Sequence, residues 1–97
     1  MSEVIDRKFQ FLASNPCKPE KVYTEANAIV FCAKDKAVPA MLLAYMQQCK
    51  RIACGQEHIE SINLLIGRVI DYQRDIECRV PDTETDCEID RCIGGKV

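Results

Sequence analysis

Cysteine and histidine are the residues of this chain whose types and spacing can do chemistry. The chain contains seven cysteines and one histidine, and the spacing Cys-x4-Cys occurs at Cys49/Cys54 and again at Cys87/Cys92. Structural zinc sites use thiolate pairs separated by two to four residues, so both pairs lie at the edge of that range. Residues five apart on a continuous helix diverge by about 140°. Each pair can therefore bind one ion only where a helix ends between its members.

The metal site that we consider from the sequence is a zinc site of three cysteines and one histidine. It would use Cys78, Cys87, Cys92 and His58, and free thiols are the alternative. The same histidine is the only one that could activate a cysteine nucleophile. Because His58 lies at the start of a predicted helix, close to its apolar stripe, we interpret it as a structural residue. We therefore predict no catalytic residue and no enzymatic activity.

A pair of lysines could bind a phosphate group. Lys34 and Lys36 flank a predicted helix start, where amide donors and positive charge favour anions. Arg68, on a later predicted helix, could join such a site in an oligomer. No glycine-rich loop accompanies these residues, so the segment is not a P-loop, and solvent-facing lysines are the alternative. A nucleic-acid partner is not expected, since the net charge is −2.

Two apolar stripes form the elements that must position these groups. Each stripe steps by three and four residues, which is typical of one side of an α-helix. The stripes consist of Leu42, Tyr45, Met46, Cys49, Ile52 and Ala53, and of Ile59, Ile62, Leu65, Ile66, Val69, Tyr72 and Ile76. We predict helices 36–54 and 56–77, with Asp35 as the first N-cap and Gly55 in left-handed geometry after the first helix. This short hinge makes the two helices an antiparallel hairpin.

The other segments are also assigned to helix, so the predicted fold class is all-α. Residues 2–13 carry a partial apolar stripe, and the two prolines of segment 15–19 break it. Residues 20–35 fit either a helix that covers the hairpin or a short buried strand. The alanines of this segment favour the helix. Thr85 and Glu88 match a capping box before a last short helix over 86–93.

Size and composition indicate a single domain. The chain has 97 residues, of which 47% are hydrophobic and 29% charged. Residues 1–97 are predicted to form one helical domain, with the N-terminal segment 1–19 and the acidic, cysteine-containing tail 78–97 as peripheral elements. No apolar run approaches the ~20 residues that span a bilayer, and no signal peptide is recognised. We therefore expect a cytoplasmic protein with reduced thiols and no membrane partner.

The outer side of helix 56–77 does not fit a simple hairpin. Leu64, Gly67 and Asp71 lie on the polar side of this helix, and Ile70 lies on its flank. A glycine inside a helix costs about 1 kcal/mol relative to alanine, which close approach by another backbone would offset. The alternative is an exposed position without a partner. We predict a second contact surface here, either for the helix over 20–35 or for another subunit, and we favour a homo-oligomer.

Two segments of the chain resemble small phage- and prophage-encoded proteins. They are residues 27–36 (NAIVFCAKDK) and 57–69 (EHIESINLLIGRV). The resemblance implies expression in the cytosol of a bacterial host and a protein that binds and blocks a host enzyme, a defence complex or a signalling nucleotide. We predict a small, non-enzymatic, homo-oligomeric binding module that inhibits a protein partner. The alternatives are a sequestering protein for a phosphate-bearing ligand such as a nucleotide, and a small zinc-stabilised domain.

Overall fold

The fold contains both strands and helices. The computed structural model describes residues 4–94. In chain order its elements are β1 (Leu12–Asn15), β2 (Lys18–Thr24), α1 (Val38–Arg51), α2 (Gln56–Asp75) and α3 (Asp86–Gly94). The prediction of an all-α fold based on a helical hairpin is therefore wrong. The beginning of the predicted helix 2–13 lies outside the described residues.

The described residues divide into two compact units. The first consists of the residues up to Val30 together with those from Asp82 onward, and it contains the β-hairpin and α3. The second unit is Phe31–Pro81, which contains α1 and α2. Between residues 4 and 94 no helix is long and apolar enough to cross a membrane.

A tight turn closes the β-hairpin at the segment that we predicted as a helix break. Asn15 pairs with Lys18, which leaves Pro16 and Cys17 as the turn. The Asn15 side-chain oxygen accepts a hydrogen bond from the Cys17 amide at 2.8 Å. Asparagine and proline in the first two turn positions favour this geometry, because proline presets its own backbone angle. The strands are antiparallel, and the register shifts between Asn15 and Ser14, so that Ser14 lies opposite Val22.

The predicted helix over 20–35 is wrong as well. Its first residues belong to β2, where Val22 and Tyr23 have side chains that suit an extended chain. Thr24 and Asn27 then hold a turn. The Thr24 amide donates to Asn27 Oδ1 at 2.9 Å, and Thr24 Oγ1 accepts from the Ala26 amide at 3.2 Å. Such side-chain hydrogen bonds compete with a helical backbone, so the chain stays irregular up to α1.

The long helices α1 and α2 pack against each other. Pro39 lies in the first turn of α1, as predicted. The N-cap residue is Ala37, however, and Asp35 instead accepts the Ala37 amide at 2.8 Å. The two stripes supply most of the buried contact. Their buried members are Met46, Cys49, Ile62 and Val69, their half-buried members are Leu42, Ile59, Leu65 and Ile66, and the others are exposed.

A capping box begins α3, as the sequence predicts. The Thr85 amide donates to Glu88 Oε1 at 2.9 Å, and the Glu88 amide donates to Thr85 Oγ1 at 3.2 Å. This exchange satisfies two amide groups at the start of the helix. Ile89 on α3 is buried, and Asp90 forms an ion pair with Arg7.

Asp6 organises the irregular segment before the β-hairpin. It is only 8% exposed, and it accepts backbone hydrogen bonds from Val30 at 2.8 Å, Lys8 at 2.9 Å and Phe9 at 3.0 Å. Burial raises the pKa of this carboxyl, but the three amide donors outweigh burial and hold the pKa below its ordinary value of 3.8. The segment 4–11 therefore wraps around a carboxylate, where the sequence predicts a helix.

Replacing Asp6 with asparagine is expected to destabilise the first unit by about 2 kcal/mol, because an amide cannot accept all three backbone donors. Urea unfolding of the full chain measures the change. Glu84→Gln, at an exposed carboxylate of the same unit, is the control and should shift the free energy of unfolding by less than about 0.5 kcal/mol. The contribution of the Asp6 carboxylate to the free energy of unfolding should be complete above pH 3.8. It should be lost as the pH falls through the lower pKa of the folded state. Equal effects of the two variants would contradict the role of Asp6.

Candidate functional site

The end of α1 forms a Schellman turn that brings two cysteines together. Ala53 adopts a left-handed conformation with φ 63°. The Cys54 amide donates to the Cys49 carbonyl at 2.9 Å, and the Ala53 amide donates to the Lys50 carbonyl at 3.2 Å. These two hydrogen bonds define the Schellman motif. The motif places the residue after the left-handed one, here Cys54, against the third residue from the helix end, here Cys49. Cys54 therefore folds back onto Cys49.

Gly55 has a different role from the one predicted. It does not adopt left-handed geometry, and with φ −60° and ψ 150° it is the N-cap of α2. The chain thus reverses at Ala53, and α2 begins directly after the turn. His58 lies in the first turn of α2, where its amide donates to the Gly55 carbonyl at 3.1 Å.

Cys49, Cys54 and His58 form a cluster of potential metal ligands. One ligand atom from each residue lies within 4.8 Å of the other two. Cys49 is buried, Cys54 is half-buried and His58 is exposed, so the cluster runs from the helix interface to the surface. Two thiols and an imidazole are a donor set that suits zinc(II).

Tyr45 borders the cluster one turn before Cys49. Its hydroxyl group lies 3.1 Å from Nε2 of His58, and the two rings pack edge to face with centroids 5.9 Å apart. A hydrogen bond with Cys49 raises the pKa of Tyr45. The phenol is therefore protonated at neutral pH and can take part in hydrogen bonding with the imidazole.

The cluster does not have the electrostatics of a thiol nucleophile. Burial raises the pKa of Cys54, and hydrogen bonding with Cys49 raises it further. A reactive cysteine needs the opposite shift, toward the thiolate at neutral pH.

The zinc ligands predicted from the sequence are distributed differently. Cys78 is exposed in the second unit, and its thiol donates to Gln73 Oε1 at 3.6 Å. Cys87 and Cys92 are exposed on α3 in the first unit. In the part of the chain that the structure describes, the group of ligand atoms close enough to share an ion contains His58 but none of these three cysteines. Sequence reasoning missed the combination of Cys49 and Cys54 with His58, although it noted the Cys-x4-Cys spacing.

The outer face of α2, which we define as Leu64, Gly67, Ile70 and Asp71, is open. Leu64 is 54% exposed and Ile70 is 48% exposed. A Cβ added at Gly67 would meet no atom within 4 Å. Because the segment 20–35 is not a helix, one of the two contacts predicted for this face is excluded. A second subunit, or an exposed face without a partner, remains.

The predicted phosphate-binding residues are only partly brought together. Lys34 and Lys36 are exposed just before α1. The Arg79 amide donates to the Lys34 carbonyl at 2.7 Å, and the Lys36 amide donates to the Arg79 carbonyl at 2.8 Å. The N-cap of α1 has no side-chain hydrogen bond, and its first turn has no acidic residue. Arg68 is exposed on α2.

Gln73 is a positioning residue that the sequence did not reveal. It lies on the inner side of α2, and its amide group donates to the carbonyl oxygens of Ala33 at 2.9 Å and Asp35 at 2.7 Å. It thereby anchors the segment that carries Lys34 and Lys36. A polar residue among the apolar positions of the stripe was the available signal.

Comparisons with protein-family models, curated proteins and solved structures found no match to this chain.

Ala53→Gly is expected to stabilise the protein by about 1 kcal/mol, because alanine is strained in the left-handed conformation and glycine is not. Ala44→Gly is the control, since Ala44 is exposed within α1. There the same substitution should destabilise by about 1 kcal/mol. Thermal or urea unfolding distinguishes the two. If both variants lose stability, Ala53 does not reverse the chain as described.

Proposed function

We propose that this protein is a small, non-enzymatic binding module that forms a homodimer and acts on a protein partner. The observation that carries the proposal is the outer face of α2, where an exposed leucine lies three residues from an open glycine. A second copy of the chain supplies the matching surface. In the proposed contact, Leu64 of one copy lies over Gly67 of the other. The two-fold symmetry repeats this contact, so Gly67 of the first copy also lies against Leu64 of the second.

Charge spacing on α2 supports an antiparallel contact between the two copies. Glu57 lies seven residues before Leu64, and Arg74 lies seven residues after Gly67. An antiparallel pairing that places Leu64 over Gly67 therefore also places Glu57 beside Arg74. The same register brings Glu60 opposite Asp71, which is a like-charge contact. Arg74 reduces its cost, because it already pairs with Asp71 at 3.2 Å.

The small core of the second unit gives the chain a reason to associate. Its buried apolar residues among those described are Val38, Met46, Cys49, Ile62 and Val69. A chain of this length buries a smaller share of its surface than a large one, so contacts with a partner add a substantial part of its stability. Leu64 and Ile70 are the apolar groups that a dimer would cover.

The protein partner would contact other exposed apolar residues of the second unit. Leu43, Ile52 and Ile76 are 46%, 63% and 68% exposed and lie off the outer face. The resemblance to phage-encoded proteins suggests inhibition of a host or defence component in the bacterial cytosol. The seven unpaired cysteines agree with a reducing compartment.

Sequestration of a phosphate-bearing ligand is the second candidate function. The specific observation is the uncapped start of α1, with no acidic residue in its first turn and exposed Lys34 and Lys36 just before it. Amide groups and lysines at a helix start favour a phosphate. In this alternative a dimer would bring Arg68 of the second copy to the ligand, and a nucleotide would be held without being converted.

Gly67→Leu is expected to convert the dimer to a monomer, because the added side chain fills the space that Leu64 of the second copy would occupy. Native mass spectrometry and sedimentation at matched concentrations measure the mass, and circular dichroism should show unchanged helix content. Gln47→Leu, which adds the same side chain at an exposed position of α1, is the control and should remain dimeric. A monomeric wild-type chain, or a dimeric Gly67→Leu variant, would contradict the proposed interface.

A nucleotide panel tests the second candidate by thermal unfolding. A nucleotide at 100 times its dissociation constant should stabilise the wild-type chain by about 2.7 kcal/mol. Lys36→Glu should abolish the shift by reversing the charge at the start of α1. Lys18→Glu, at an exposed lysine of β2, should keep it. No shift with any nucleotide, or an equal shift in both variants, would exclude the site.

A further inference from the structure

We propose that Cys49, Cys54 and His58 bind a zinc(II) ion at the turn between α1 and α2, with a water molecule in the fourth position. The ligand set differs from the one that the sequence suggested, and it does not depend on the dimer. It rests on three side chains of the right chemistry, brought together by a backbone motif.

The separations in the cluster are close to those of a zinc site. Zinc–sulfur bonds are about 2.3 Å long, so two thiolates in a tetrahedral site lie about 3.8 Å apart. The ligand atoms of Cys49, Cys54 and His58 already lie within 4.8 Å of one another. The ion therefore has to draw them together by about 1 Å or less, which side-chain rotations can provide.

Two different parts of the backbone hold the ligands in place. The hydrogen bond from the Cys54 amide to the Cys49 carbonyl fixes the two cysteines across the end of α1. The third ligand, His58, is fixed by the first turn of α2, where its amide donates to Gly55. These backbone hydrogen bonds restrict the turn, so binding of an ion loses less conformational entropy here than it would in a flexible loop.

Tyr45 orients the imidazole. Its hydroxyl group lies 3.1 Å from Nε2 of His58, which leaves Nδ1 as the nitrogen available to bind the ion. Metal-bound histidines commonly use their second nitrogen in this way, and the partner fixes the ring and its tautomer. Tyr45 is thus a positioning residue for the ligand.

The fourth position is open because His58 lies at the surface. The described residues contain no further cysteine, histidine or carboxylate that joins the group. On binding, the thiols of Cys49 and Cys54 lose their protons to solvent and neutralise the dication, while the imidazole binds in its neutral form. Water then completes a tetrahedral arrangement.

Cobalt(II) is the probe that tests this site, because tetrahedral cobalt(II) with thiolate ligands absorbs strongly in the visible and near ultraviolet. The reduced, full-length chain is expected to bind an equimolar amount of cobalt(II) with these bands, and zinc(II) should displace it. The melting temperature should rise with zinc(II) and fall back after a chelator is added. A chain without these bands would overturn the proposal.

Variants identify the ligands. Cys54→Ser and His58→Gln should abolish the cobalt(II) bands, and both remain informative because neither residue is buried. Tyr45→Phe should keep the bands and weaken zinc(II) binding by about 10-fold or more. The matched controls are Cys87→Ser and Cys92→Ser, whose exposed thiols lie in the first unit and should leave the bands unchanged. Bands that survive Cys54→Ser, or that disappear in either control, would assign the metal to other residues.

Discussion

The left-handed conformation of Ala53 is the constraint on which the second unit depends. It ends α1, reverses the chain within a few residues and lets α2 begin at Gln56. Without this reversal the buried residues of α1 could not meet those of α2. The same reversal places Cys54 against Cys49 and aligns His58 beside them. One strained residue therefore determines both the helix packing and the ligand cluster, a combination that is typical of functional turns.

The second unit has a small buried core. Five apolar side chains are buried among its described residues, and the apolar groups of the outer face of α2 remain open. Burial of apolar surface is the main favourable term in folding, so such a unit gains much from any additional contact. A metal ion at the turn and a second copy on α2 would act at opposite sides of that helix.

The first unit is stabilised differently, through polar groups of the backbone. Ile89 is its buried apolar residue among those described, and Asp6 is its buried charge. Asp6 accepts hydrogen bonds from three backbone amides, and Asn15 accepts one in the hairpin turn. Glu88 accepts the Thr85 amide at the start of α3. Each of these is a side-chain oxygen that satisfies a backbone donor. Such interactions are local and directional, and they account for the ordering of segments that have few apolar contacts.

Local signals in the sequence were sufficient for some of these features. The three- and four-residue steps of the stripes predicted α1 and α2, because helix periodicity is a property of neighbouring residues. The capping box of α3 and the exposure of Leu64 followed in the same way. The β-hairpin did not, because a strand gains its hydrogen bonds only from a partner strand, and Pro16 and Pro19 were read as a break without one.

The cluster of Cys49, Cys54 and His58 depended on tertiary structure for a similar reason. Two cysteines five residues apart can bring their sulfur atoms together only if the helix ends between them. In the sequence, Gly55 indicated a chain reversal two residues after the one observed at Ala53. Alanine rarely adopts left-handed geometry, so its residue type gave no signal. The sequence by itself was sufficient to predict α1, α2 and α3 and the apolar sides of α1 and α2. Only the folded turn decided which cysteines meet His58, since that requires a strained conformation that the packing of α1 on α2 maintains.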